Sequence, residues 1–116
     1  MIIPIPLHRK RRRKRGYNQS EILAEELGKR CNIPVDHHSV VRVVHTRPQK
    51  ELNDKERKKN LAQAFRVTNH WTKAKNVLLI DDIYTTGNTI DSVAQILKQK
   101  GAEKVYFLSI SIGQGF

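Results

Sequence analysis

The sequence predicts an α/β fold of three layers, with a mostly parallel sheet of about four to five strands and helices on both faces. Three observations carry that expectation. Short apolar runs of strand type alternate with stretches of helical period, joined by brief turns. The run Val77-Leu78-Leu79-Ile80 is continuously apolar, as a strand buried on both faces should be. It is followed at once by a turn and a helix, the unit from which doubly wound sheets are built. With 116 residues, one domain spanning 1–116 is expected.

Residues 1–7 read as a first strand, irregular at Pro4 and Pro6 because proline cannot donate to a ladder. A basic run, Arg9 to Arg15, interrupts before a helix. Asn18 with Glu21 three residues later forms a capping pair for that helix, and Ser20 is an alternative cap. Its expected inward residues are Ile22, Leu23, Leu27 and Cys31, and Asn32-Ile33-Pro34 ends it. Residues 40–44 make a second strand, broken only by Arg42. A long polar insertion follows, with a helix start at Asn53 and Glu56, an apolar stripe of Leu61, Ala64 and Phe65, and a short edge strand over 65–67. Residues 77–83 form the third main strand. Ile90, Val93, Ala94 and Leu97 then share one face of a helix over 89–100, which Gly101 closes. Residues 105–112 are the last strand.

Chemistry concentrates in residues 77–89. The apolar strand ends in Asp81-Asp82, and the turn Thr85-Thr86-Gly87-Asn88-Thr89 opens the helix. The first turn of a helix leaves backbone N–H groups unpaired, and its dipole favours an anion. Threonine hydroxyls add donors, and Gly87 lets a ligand approach the backbone. The turn suits a phosphate monoester. Asp81 and Asp82 suit sugar hydroxyls or a hydrated divalent cation nearby.

The chain carries a net charge of +11, of which the seven consecutive cations of residues 9–15 supply seven, leaving +4 elsewhere. A single cysteine, Cys31, excludes a disulfide framework and a Cys-based zinc site, so no zinc is expected within this chain. His37, His38, His45 and His70 show no metal-ligand spacing. No apolar run reaches membrane-span length, and an apolar start before the basic run reverses the order of a secretory signal. The cytoplasm is the expected location.

Residues 77–89 resemble the phosphoribosyl-diphosphate (PRPP) motif of the type I phosphoribosyltransferases, a Rossmann-like core. Pro4-Ile5-Pro6-Leu7-His8, Arg15-Gly16-Tyr17-Asn18-Gln19-Ser20, Thr46-Arg47-Pro48-Gln49, Leu52, Arg57, Asn60 and Ala64-Phe65 narrow the likeness to the ComF family of bacterial late-competence proteins. That resemblance implies binding of PRPP or ribose 5-phosphate with Mg2+, and transfer of a phosphoribosyl group with release of pyrophosphate. It implies that Thr85, Thr86, Gly87, Asn88 and Thr89 hold the 5-phosphate. Asp81 and Asp82 would hold the ribose hydroxyls and, indirectly, the magnesium. Arg9, Arg15, Asn18, Arg47 and Arg57 become candidates for the pyrophosphate, and the insertion around residues 46–60 becomes a loop that closes over substrate. The family's usual cysteine-rich zinc segment before this domain is not found here. Thr85 stands where many purine-salvage relatives carry an acid that assists the base, so that assistance is missing. No separate hood for a nucleobase is evident, and the resemblance identifies neither an acceptor nor a catalytic residue. A homodimer is among the assemblies it allows.

A second reading is a non-enzymatic nucleic-acid module for DNA uptake, gripping single-stranded DNA through residues 9–15. A phosphoacceptor receiver places its acidic pair after the first strand, not the third, and no Gly-x-x-x-x-Gly-Lys-Ser/Thr loop is present for a P-loop nucleotidase.

Overall fold

The computed structural model describes residues 1–6, 18–43, 64–84 and 87–112. Within them the order is β1 (Ile2–Pro4), α1 (Gln19–Cys31), β2 (Val40–Arg42), β3 (Phe65–Val67), β4 (Asn76–Tyr84), α2 (Asn88–Gln99) and β5 (Lys104–Ile112). Strands β1, β4 and β5 form a parallel sheet in the order β1-β4-β5. Val35 extends it by a single parallel bridge to Ile2, with Ile2 donating to the Pro34 carbonyl and Asp36 donating back to Ile2. The expected mostly parallel α/β sheet is therefore present, with three strands among the described residues where four to five were expected.

The pleat decides what each helix covers, because alternate residues of a strand point to opposite faces. Ile2 and Ile80 face α1, where they pack with Ala24, Leu23, Leu27 and Leu78. Ile3, Ile5, Val77 and Leu79 face the other way and pack with Ile90, Val93 and Leu97 of α2. Leu79, Ile80, Val93 and Leu97 are completely buried. Helices thus lie on both faces of one sheet, the expected three layers.

Several local expectations hold for physical reasons the structure makes plain. Asn18 caps α1, its side-chain oxygen accepting from the Ser20 amide at 3.0 Å. In β1, Ile2 bonds outward to residues 34 and 36 while Ile5 donates to the Ile80 carbonyl at 2.8 Å. The missing N–H of Pro4 consequently falls on the outer edge, where it breaks no bond to β4. Gly101, at φ 108°, follows α2 in the left-handed conformation that glycine adopts freely.

Others are corrected. The residues 40–44 strand is shorter and does not join the main sheet. Instead, β2 pairs antiparallel with β3, and this hairpin packs its Val40 and Phe65 into the α2-side core. Ala64, expected to continue a helix stripe, is a bend, while Phe65 opens β3, which matches the short strand expected over 65–67. The remainder of that helix, from Asn53, lies outside the described residues. The inward face of α1 is also different. Ile22 is 55% exposed and Cys31 is exposed, whereas Ser20, Ala24 and Gly28 are buried. These three recur every four residues, so a strip of small side chains lets the helix sit close to its neighbours. A Cβ on Gly28 would lie 2.5 Å from the Val35 side chain and 2.8 Å from the Ile33 carbonyl. Hydrophobicity finds Leu23 and Leu27, which do pack against the core, but misses the closest contact, because that is made by residues that are small, not apolar.

Helix α1 covers β1 and β4 and stops short of β5. Leu108 and Ile110 remain exposed beside Ile22, along an open apolar groove of about 610 Å³. No described helix is long and apolar enough to cross a membrane.

Candidate functional site

The helix after β1 and the helix after β4 lie on opposite faces, while the two strands are neighbours. The chain therefore diverges between them, which opens a crevice beyond their carboxyl ends, where ligands bind in open α/β sheets. Asp81 and Asp82 stand at that end of β4, with Pro6 at the end of β1 beside them.

The pleat roots the two side chains on opposite faces, yet their carboxyl groups still reach each other in a side-chain hydrogen bond. Asp82 shares the face of Ile80 and is 8% exposed; Asp81 shares the face of Leu79 and is half-buried. One Asp81 oxygen accepts from the Asp82 amide at 2.9 Å. Burial pushes the Asp81 carboxyl up to about 6, and the adjacent Asp82 charge adds to the rise; the Asp82 amide and the charge of Arg42 pull the other way. Two adjacent acids at a partly dry strand end are an arrangement that folding alone does not favour.

Beyond the acids, Gly87 takes φ 82° and ψ −3° and occupies the cap position of α2. Having no side chain, it cannot cap the helix itself, and Asp91 donates the first helical bond to its carbonyl at 2.9 Å. Asn88 opens the helix and Thr89 is half-buried in its first turn. Thr85 and Thr86 lie outside the described residues, as do Arg9, Arg15, Arg47 and Arg57. Asn18, put forward for pyrophosphate, is 2% exposed: its amide nitrogen donates to the Ile5 carbonyl at 3.2 Å while its oxygen caps α1. It ties the start of α1 to the end of β1.

The structure also brings in a residue that sequence reasoning treated only as an interruption. Arg42, directly opposite Phe65 in the hairpin, lays its guanidinium over that ring at 4.7 Å from the centroid. Its Nε donates to the Pro6 carbonyl at 3.3 Å, and its charge reaches Asp81. A lone arginine in an apolar run is a signal visible in the sequence, but its address depends on a pairing that is not.

Comparison with known proteins agrees with this architecture. The phosphoribosyl transferase domain model matches residues 14–110. Competence protein F of Haemophilus influenzae is 38% identical over 106 residues, covering 90% of this chain and 46% of that protein. DNA utilization protein YhgH of Escherichia coli K12 is 35% identical over 104 residues, 90% of this chain and 45% of its own length. Competence protein ComFC of Bacillus subtilis is 34% identical over 102 residues, 87% and 39% respectively. The chain thus spans somewhat less than half the length of these curated relatives. It belongs to the phosphoribosyl transferase domain family, with ComF-type proteins as its relatives.

Proposed function

We propose that this chain binds PRPP or ribose 5-phosphate at the β1–β4 crevice and serves a ComF-type role in DNA uptake. The observation that carries the reading is the juxtaposition of Asp81 and Asp82 with a glycine-capped helix N-terminus at the switch point of a parallel sheet. The amides after Gly87, with Thr85, Thr86, Asn88 and Thr89, would hold the 5-phosphate, and the acids would accept from the ribose hydroxyls. The donor set fits magnesium, a hard ion often held by one or two carboxylates together with phosphate oxygens. Asp81 and Asp82 would hold it, and when bound it supplies charge neutralisation to a departing pyrophosphate. Arg9, Arg15, Arg47 and Arg57 are proposed to add cationic contacts to the same group. Transfer of the phosphoribosyl group then requires no covalent enzyme intermediate, only a positioned nucleophile and a stabilised leaving group.

Titration calorimetry with PRPP and magnesium tests this directly. Wild type is expected to bind, and Asp81→Asn combined with Asp82→Asn to abolish binding. Wild-type affinity in the double variant would remove the assignment. A screen for pyrophosphate release over candidate acceptors follows from a positive result.

A second reading, supported by the run Arg9 to Arg15 and by the likeness to DNA utilization protein YhgH, is a nucleic-acid-binding module. Single-stranded DNA binding should fall steeply with salt and weaken severely when residues 11–14 become alanine. Unchanged affinity would leave this reading without its main support.

A further inference from the structure

We propose that Arg42 is a positioning residue, which fixes the β2–β3 hairpin to the carboxyl end of β1 and thereby sets a cation against the ribose-binding acids. The inference rests on the functional reading above and adds to it a residue from outside the phosphate motif. Two contacts, and one charge effect over a longer distance, meet at this one side chain. The Phe65 ring, 4% exposed and opposite in the hairpin, holds the guanidinium flat. The Pro6 carbonyl, at the last described residue after β1, accepts from Nε. Asp81 lies on the face of β4 toward which the hairpin packs, and it feels the positive charge.

Among the described residues, the other contacts of the hairpin hold its two strands together or bury its apolar side chains. Its ladder is three residues long on each side, closed by Val43 donating to the Ala64 carbonyl at 2.6 Å and Thr68 donating to the Ser39 carbonyl at 2.7 Å. Val40 and Phe65 fix it to the core by burial, which sets depth but not direction. A hydrogen bond from a planar guanidinium to a strand-end carbonyl supplies the direction.

The test uses the full chain with Arg42→Gln, Arg42→Lys and the control Arg66→Gln, an exposed arginine of the same hairpin. Amide exchange needs no ligand: Val43 should lose about tenfold protection in Arg42→Gln, the size expected when a charge-assisted hydrogen bond is removed. Ala102, bonded to Leu97 behind α2, should be unchanged, and Arg66→Gln should match wild type at both. Calorimetry with magnesium and either PRPP or ribose 5-phosphate should show both ligands weakened by the same factor of about tenfold in Arg42→Gln. Arg42→Lys, which retains the charge but not the planar fork, should recover little of that loss. Wild-type exchange at Val43 in Arg42→Gln would overturn the proposal. So would a loss confined to PRPP, which would mean direct contact with pyrophosphate, or full recovery by lysine, which would mean that the charge alone suffices. If wild type binds neither ligand, the functional reading falls, and the exchange result by itself decides whether Arg42 fixes the hairpin.

Discussion

Two aspartates show how differently this fold treats a carboxylate. Asp36 lies where the chain leaves the edge of β1 for the hairpin, and its carboxylate accepts from the amides of His38 and Ser39, both at 2.9 Å, and from the Ser39 hydroxyl. Burial alone would raise its pKa, but the Ser39 hydroxyl, the two amides and the charge of His38 outweigh it and hold the carboxyl below its ordinary value. Asp81, at the end of β4, is held at about 6 because burial and the Asp82 charge outweigh the donors it has. The first acid is solvated by the protein and stabilises a turn. The second is under-solvated and beside a like charge, which is what a site awaiting a cation or hydroxyl donors should look like.

That contrast can be broken most forcefully at Asp36. Asp36→Ala removes three accepted hydrogen bonds and leaves completely buried Ser39 without its acceptor. It should destabilise the chain by about 2 kcal/mol in denaturant unfolding at pH 7. Because this carboxyl is depressed on folding, its contribution is complete above the unfolded value of 3.8 and is lost as pH falls through the folded value. Wild type and variant should therefore converge in acid. A constant difference down to low pH would show that the turn depends on shape, not on the carboxylate's charge.

Asp81 should behave with the opposite sign and a smaller size. Its carboxyl is raised from 3.8 to about 6, so between those values the folded chain keeps a proton that the unfolded chain has released. The stabilisation from that proton is complete below about pH 4 and is lost as pH rises through 6. Asp81→Asn should consequently be more stable than wild type at pH 7.5, by about 1 kcal/mol once screening of the exposed part of the carboxyl is allowed for. The gain should vanish near pH 4, and melting curves across that range check it. A variant less stable than wild type at pH 7.5 would place Asp81 with Asp36, among the acids that hold the fold together.

Much of this molecule is legible without coordinates. The buried strand ending in Asp81-Asp82, the helix carrying Ile90, Val93 and Leu97, the cap at Asn18 and the tolerance of β1 for proline all follow from local rules of period, capping and donor supply. Those rules act over a few residues, and a sequence states them directly. What required the tertiary structure are relations between distant segments. The strip of Ser20, Ala24 and Gly28 is inward because the helix must approach Ile33 and Val35 closely, a contact that hydropathy does not encode. β2 left the parallel sheet because its partner is β3, a register set by burial of Val40 and Phe65 under α2. Arg42 gained its place from the same register, which sets its guanidinium on Phe65 and its Nε at Pro6, thirty-six residues away in the chain. The sequence by itself determined which residues could make a phosphate-and-ribose cradle. Only packing decided that the charge of Arg42 reaches Asp81, because side chains remote in sequence meet where apolar faces are buried, and burial is a property of the whole chain.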